Sequence, residues 1–180
     1  MRYDSRCNPQ TYSKITQSLD KALAGRATVK YANMQSAPEF LAAITGASID
    51  TCSIGSSPFV TGVAQQLDIS MVYIQKVITN SEALVVRSDR SIATLADLKG
   101  KKIGLPFNTS AHFAMLGVLR KAGLSTSDVQ LINLKPDALM ATWASGSLDG
   151  AYIWHPFLRQ MADDHGKILI STADLQLHKA

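Results

Sequence analysis

The pattern of apolar and polar positions predicts strands and helices in alternation along the first half of the chain. We expect a short strand at residues 2–4 and further strands at residues 28–34 and 49–55, where apolar residues form compact runs. Residues 37–45 are predicted to form a helix, with Ser36 as its N-cap and Gly46 just after its end. A helical spacing also precedes the second strand, at Tyr12, Ile15, Leu19 and Leu23.

The second half repeats this alternation. Compact apolar runs predict strands at residues 101–107, 129–134 and 148–154. Helices are expected between them at residues 112–122, closed by Gly123, and at residues 136–144. Because short loops join alternating strands and helices, the fold class is α/β, with mostly parallel sheets flanked by helices.

The two halves also match each other residue by residue at an offset near 100. Lys21-Ala22 matches Lys121-Ala122 at an offset of 100, and Pro58-Phe59 matches Pro156-Phe157 at an offset of 98. Further matches at offsets of 99 and 100 occur in order between these pairs. The repeat predicts two α/β lobes.

The lobes are expected at residues 1–82 and 83–172, with residues 173–180 starting a return crossover. Two extended apolar stretches within residues 68–87 are expected to lead from one lobe to the other. A short helix is predicted at residues 91–98, before the second copy begins.

Composition and charge exclude several classes of function. The chain has 180 residues, of which 46% are hydrophobic and 18% charged, as in an ordinary globular protein. The net charge of +4 comes from scattered basic residues, so no nucleic-acid partner is expected. No apolar run approaches the ~18 residues of a membrane span. Cys7 and Cys52 do not resemble a metal or redox pair and are expected to be unpaired, unless adjacent strands bring them together.

Catalytic and metal-binding motifs are not found in the sequence. The four histidines lack the spacing of metal ligands, so neither a metal nor another cofactor is expected. The segment "GSSPF" at residues 55–59 does not have the G-x-S-x-G pattern of a hydrolase nucleophile. The residues therefore support neither a metal site nor a Ser–His–Asp hydrolase.

Three predicted strand ends carry polar residues suited to a small ligand. In parallel α/β sheets, ligands bind at the carboxyl ends of strands, beside helix N-termini whose free N–H groups attract anions. The candidates are Ser56 and Ser57 after the strand at 49–55, Asn108, Thr109 and Ser110 after the strand at 101–107, and Tyr152, Trp154 and His155 near residue 154. Two opposed lobes would bring these strand ends together.

Several motifs resemble the periplasmic taurine-binding proteins of ABC importers, within the wider nitrate, sulfonate and taurine solute-binding family. They are "GSSP" at 55–58, "NSEALVV" at 80–86 and "DGAYIWHP" at 149–156, in this order, and the likeness runs from Tyr3 to Leu175. The resemblance implies a two-lobed, type II periplasmic-binding-protein-like fold. It also implies that taurine or an alkanesulfonate is bound between the lobes without chemistry and delivered to the membrane subunits of an importer.

The resemblance also suggests roles for individual residues. A sulfonate spreads one charge over three oxygens, so hydroxyl and amide donors at Ser56, Ser57, Thr109 and Ser110 suit it. The ammonium group of a zwitterionic ligand would bind a carboxylate or an aromatic face. Glu82 and Asp4 are the candidates for the carboxylate, and Tyr152 and Trp154 are the candidates for the aromatic face. Further candidate ligand contacts are Asn80 and Ser81 at the crossover between the lobes and His112 beside the loop at residues 108–110.

Each of these residues also has a structural alternative. The serines and Thr109 are suited to capping helices, and Asn80 and Ser81 to forming a turn. Tyr152 and Trp154 could be core aromatics, and His112 could be a packed helix residue.

The chain departs from the family pattern at both ends. Family members usually continue well beyond a segment such as residues 166–175, so the first lobe is expected to be incomplete and the chain truncated. An incomplete lobe would expose an apolar face and a sheet edge, which predicts a homo-oligomer or a domain-swapped dimer. The opening "MRYDSRCNPQ" lacks the apolar region of a signal peptide, so periplasmic localisation rests on the resemblance alone.

Three other functions remain open at this point. The chain could be a remnant that folds but binds ligands weakly, or a sensing module like the effector domains of transcription regulators. It could also be an enzyme of the pyrimidine-precursor synthase type, although those enzymes use clustered cysteines that this chain lacks.

Overall fold

The computed structural model describes residues 14–23, 26–32, 34 and 36–175. The chain divides into two compact units, Met1–Met34 and Gln35–Ala180. In the first unit, helix α1 (Ser18–Ala22) covers part of the first predicted helix, and the Tyr31 hydroxyl donates a 3.3 Å hydrogen bond to Asp20. The predictions for residues 2–4, Asp4, Cys7 and Tyr12 lie outside the described residues.

The second unit contains the remaining regular elements. Its helices are α2 (Ala37–Thr45), α3 (Ser56–Ala64), α4 (Ser110–Ala122), α5 (Pro136–Ala144) and α6 (Phe157–Asp163). Its strands are β1 (Glu82–Arg87), β2 (Lys102–Leu105), β3 (Gln130–Asn133), β4 (Gly150–Trp154) and β5 (Gly166–Ser171). Single turns of 3₁₀-helix occur at Leu95–Leu98, Thr126–Asp128 and Ala173–Leu175. None of the described helices is long and apolar enough to cross a membrane.

The five strands form one sheet in the order β3-β2-β4-β1-β5. Strand β2 runs parallel to β3 and β4, as the alternation of strands and helices predicted. Strand β1 instead runs antiparallel to both of its neighbours, β4 and β5, so the sheet is mixed. Neither neighbour adjoins β1 along the chain. No single crossover helix therefore determines the direction of this strand.

The sheet is covered on both faces. Leu84 and Val86 of β1 point into a core built mainly with α4, whereas Ala83 and Val85 point into a second core built with α5 and α6. This alternation follows from the period of two in a β-strand. Because β1 and β4 are buried on both sides, they form the rigid centre of the unit, and Glu82 stands at the start of β1.

Residues that begin or end helices predicted several elements correctly. Helices α2 and α5 have the predicted bounds, and Gly123 ends α4 in a left-handed conformation with φ of 69°. Helix α4 starts at Ser110, two residues earlier than predicted. The helix predicted at residues 91–98 is limited to one turn of 3₁₀-helix, which is capped by reciprocal hydrogen bonds between Thr94 and Asp97. Helix α6 and strand β5 were not predicted.

The strand predicted at residues 49–55 is wrong, and the described residues of 28–34 form no strand either. The described residues of 28–34, 49–55 and 67–78 belong to no helix and pair with no strand in the part of the chain that the structure describes. Strand propensity alone cannot form a strand, because its backbone N–H and C=O groups must pair with a neighbour. The division into lobes at residue 82 stays a prediction.

Candidate anion-binding site

The N-terminus of α4 is held by Thr109. The Thr109 hydroxyl donates a 2.7 Å hydrogen bond to the Pro106 carbonyl and accepts a 3.4 Å bond from the His112 amide. This hydroxyl is therefore used within the loop, as the capping alternative expected. The amides of Ser110 and Ala111 have no carbonyl partner within the helix, because the first turn of any α-helix leaves its N–H groups unpaired.

The N-terminus of α3 lies beside the N-terminus of α4. Gly55 is its N-cap residue, with no side-chain hydrogen bond, and Ser56 and Ser57 are its first helical residues. A side-chain carbon on Gly55 would lie 3.5 Å from both Cβ and Oγ of Ser110. Two helix N-termini therefore meet across Gly55 and Ser110, and the positive ends of their dipoles act on one point.

Glu82 brings a buried carboxyl group to this meeting point. Its side chain accepts a 2.8 Å hydrogen bond from the Ser110 hydroxyl through Oε2, and the residue is only 2% exposed. Its other oxygen, Oε1, is buried without a hydrogen-bond partner among the described residues. Burial raises the pKa of Glu82 to about 7, against the lowering effects of the Ser110 hydrogen bond and the charge of Lys76.

The loop before α4 is rigid at Asn108. This residue has a left-handed backbone with φ of 57°, and its amide donates a 3.4 Å hydrogen bond to Nδ1 of His112. The His112 ring stacks on Phe107, with centroids 4.3 Å apart, and burial lowers the pKa of His112. Because Nδ1 accepts, the neutral imidazole carries its proton on Nε2, where it remains a donor.

Two hollows flank this loop. The larger is an open groove of about 660 Å³ that is lined by α2 and α3, including Pro38, Leu41 and Pro58, and it reaches Asn108. The smaller, of about 190 Å³, is lined in part by Asn108 and Lys135. Glu82 and Ser110 line neither hollow, so the carboxyl group lies behind the helix N-termini and not on the groove wall.

The other predicted site residues have mainly structural contacts. Tyr152 is fully buried, and its hydroxyl shares a 3.0 Å hydrogen bond with that of Thr172. The Asn80 side-chain amide lies 3.1 Å from the Ser171 hydroxyl, and the Ser81 carbonyl accepts a 3.0 Å hydrogen bond from the His155 amide. These contacts tie the start of β1 to the ends of β4 and β5.

Trp154 is placed differently from Tyr152. It is half-buried and stands directly opposite Glu82 in the β1–β4 register, so both side chains share one face of the sheet. Among the predicted candidates, the structure thus brings Glu82, Ser110, Ser56, Ser57 and Trp154 into one neighbourhood.

Sequence reasoning did not identify two contributors. Lys76, whose charge acts on Glu82, is exposed and lies in a segment without helix or strand structure that carries no motif. Asp174 accepts hydrogen bonds from the Ser171 amide and hydroxyl at 2.9 and 2.6 Å. The Ser-x-x-Asp spacing of residues 171–174 is a capping pattern that could have revealed this contact.

Comparison with known proteins identifies the family. The model of the family described as NMT1/THI5 like matches residues 29–170. The chain belongs to this family. As a member of the NMT1/THI5-like family, it is 34% identical over 143 residues to the taurine-binding periplasmic protein of Escherichia coli K12, a match that covers 79% of this chain and 44% of that protein.

Solved structures agree with this assignment. The alkanesulfonate-binding protein SsuA from Xanthomonas axonopodis pv. citri, bound to MOPS, matches with a TM-score of 0.86 and 29% identity over 93% of this chain and 58% of that one. The periplasmic aliphatic sulphonate binding protein SsuA from Escherichia coli matches with a TM-score of 0.78 and 28% identity, covering 91% and 56%. These findings confirm the predicted family resemblance and the periplasmic-binding-protein-like α/β fold. The chain spans about half the length of the curated relatives it matches.

Proposed function

We propose that this NMT1/THI5-like chain binds a small sulfonate for an ABC-type importer in the periplasm and does no chemistry on it. The meeting of the α3 and α4 N-termini at Gly55 and Ser110 carries this proposal. The names of the relatives, which are taurine-binding and sulfonate-binding proteins, support the same ligand class.

The amides of the two helix starts supply the donors for the sulfonate. In this proposal its oxygens accept hydrogen bonds from the amides of Ser56, Ser57, Ser110 and Ala111, with help from the Ser56 and Ser57 hydroxyls. Each helix end contributes about 0.3–1 kcal/mol, and more where it is partly buried. Several charge-assisted hydrogen bonds together are enough for micromolar affinity, about −8 kcal/mol. Thr109 contributes by holding the α4 amides in place.

The groove beside the site suits the organic part of the ligand. It is lined largely by apolar atoms of α2 and α3, including Pro38, Leu41 and Pro58, and it begins at Asn108, two residues before Ser110. The proposal keeps lobes at residues 1–82 and 83–172, with the ligand between them and Asn80 and Ser81 at the crossover. The membrane subunits of the importer are the proposed partner.

Isothermal titration calorimetry tests this function. Taurine and ethanesulfonate are expected to bind the purified chain, with sulfate and nitrate weaker by about tenfold or more, a difference of about 1.4 kcal/mol. Comparable binding of all four anions, or no binding of either sulfonate, would contradict the proposal.

Two substitutions at one position localise the site. In Gly55→Ala the new methyl group meets Ser110 at an ordinary contact distance, so the fold is retained and affinity falls only slightly. In Gly55→Leu the larger side chain covers Ser110 and the α4 amides. We expect this variant to lose sulfonate binding while its circular dichroism spectrum is unchanged. Unaltered affinity in Gly55→Leu would place the ligand elsewhere.

A further inference from the structure

The apolar segment between α3 and β1 has a sequence that is complementary to a second copy of itself. We propose that residues 68–76 of two chains pair as antiparallel strands about a two-fold axis at Val72, so that the protein forms a symmetric dimer. This inference goes beyond the proposed function and does not depend on it, because it concerns an interface and not the binding of a sulfonate.

The side chains of this segment are unusually exposed for their chemistry. Val72, Tyr73 and Ile74 are 88%, 78% and 67% exposed, and Met71 and Val77 are 55% and 66% exposed. Large apolar side chains are normally buried, and a contiguous apolar patch on a protein surface marks an interaction site. Burial of these side chains against another chain removes them from water and drives association.

The backbone of the segment is also available for pairing. Residues 70–78 belong to neither a helix nor a strand, and they form no backbone–backbone hydrogen bond with any described residue. Residues 71–77, "MVYIQKV", are rich in β-branched and aromatic side chains, which favour strands. A strand added to another strand pairs the N–H and C=O groups of both, and a second copy offers the same free groups.

The charges at the two ends of the segment determine the partner and the register. Asp68 and Lys76 are its charged residues, both are exposed, and neither forms an ion pair within the described part of the chain. Both lie four residues from Val72, so an antiparallel pair centred there places each Asp68 opposite the Lys76 of the second copy. Opposite charges in facing positions stabilise a strand pair, whereas a parallel pair in register would bring like charges together.

The same register matches the side chains between the charges. Val72 meets Val72 of the second copy on the axis, and Ser70 faces Ile74 on the same side of the strands. On the other side, Met71 faces Tyr73, and a thioether beside an aromatic ring is a favourable contact. One patch therefore serves both chains, and the two-fold symmetry closes the assembly at a dimer.

Disulfide formation tests the register. In a chain with Cys7→Ser and Cys52→Ser, the variant Val72→Cys is expected to form a covalent dimer on mild oxidation. Directly opposed residues of an antiparallel pair have Cα atoms about 4.5–5.5 Å apart, which a disulfide can bridge. Ser70→Cys is the matched control, because the two copies of residue 70 would lie about 13 Å apart. A mixture of Ser70→Cys and Ile74→Cys chains is expected to cross-link, since these positions face each other.

Charge reversal tests the pairing of the ends. Asp68→Lys and Lys76→Asp each replace two facing pairs of opposite charge by pairs of like charge. Each is expected to weaken dimerisation by about tenfold or more at low salt in analytical ultracentrifugation. An equimolar mixture of the two variants is expected to recover the affinity of the parent, because every facing pair is again of opposite charge. Lys76 also acts on Glu82 within one chain, but recovery on mixing requires contact between two chains.

Three results would overturn the inference. A parent chain that stays monomeric at all concentrations excludes the dimer and leaves the segment to another partner. Equal cross-linking of Val72→Cys and Ser70→Cys indicates random collision. A dimer that neither charge reversal weakens has its interface elsewhere. None of these results bears on sulfonate binding, which calorimetry measures separately. Should Val72→Cys not fold, the mixture of charge variants still decides.

Discussion

Glu82 is a carboxyl group buried at the start of a central strand, where an apolar residue would pack without loss of hydration. Its pKa is raised by burial from 4.5 to about 7, so between these values the folded chain holds a proton that the unfolded chain has released. The free energy of unfolding therefore falls as pH rises through this window, opposite to the usual behaviour of a salt-bridged carboxylate.

Glu82→Gln is expected to stabilise the chain above neutral pH. At pH 8 its free energy of unfolding should exceed that of the parent by up to about 3 kcal/mol, since each unit of pKa shift corresponds to about 1.4 kcal/mol. Below pH 4.5 the difference should disappear, because Glu82 is then neutral in both states. Urea denaturation at pH 4, 6 and 8 measures this, with Asp163→Asn as the exposed control. A constant difference between Glu82→Gln and the parent at all three pH values would contradict the prediction.

At the scale of elements, the site depends on how two helices begin. Helix α4 is capped by Thr109, whose hydroxyl both binds the His112 amide and anchors to Pro106, while α3 starts at Gly55 with no side-chain cap. At this uncapped start, a side-chain carbon on Gly55 would contact Ser110. One helix is thus held in place so that the amides of both can be presented together.

Thr109→Ala is expected to destabilise α4 by about 1 kcal/mol, because the helix loses its N-cap and the loop loses its anchor to Pro106. Urea denaturation followed by circular dichroism measures the loss. Thr109→Ser, which keeps the hydroxyl, should retain most of the stability. Equal stability of the alanine and serine variants would show that the hydroxyl contributes nothing as a cap.

At the scale of the whole molecule, an exposed apolar segment without helix or strand structure is prominent at residues 71–77. Within residues 71–77, the side chains of Val72, Tyr73 and Ile74 are 88%, 78% and 67% exposed, and the segment has no partner strand among the described residues. Contiguous exposed apolar residues favour association with another chain, because association removes their surface from water. This observation supports the prediction of self-association made from the sequence.

The purified chain is expected to associate through this segment. Size-exclusion chromatography with light scattering should show a concentration-dependent mass above that of a monomer. The double variant Val72→Lys and Ile74→Lys should shift the distribution toward monomer, because charge opposes edge pairing. Lysines at Ser88 and Gln160, which are exposed polar positions, provide the control. A monomeric parent chain at all concentrations would contradict this expectation.

Much of the fold could be predicted because its determinants are local. Helix α2 has the predicted bounds since Ser36 and Gly46 lie at its two ends, and α5 begins at Pro136, a favoured first helical residue. The failures are non-local. Residues 49–55 have strand composition but no partner strand, and β1 is antiparallel because of its neighbours in the sheet.

The candidate site divides in the same way. The sequence by itself determined that Ser56, Ser57 and Ser110 lie at helix starts, because a helix start depends on neighbouring residues. Its motifs determined the family, because a motif also consists of residues close together along the chain. Only the tertiary structure decided that Gly55 lies beside Ser110 and that Glu82 is buried next to Ser110, with one oxygen unpaired among the described residues. It also decided that Tyr152 belongs to the core. Contact and burial are made by residues far apart along the chain, so no local pattern encodes them.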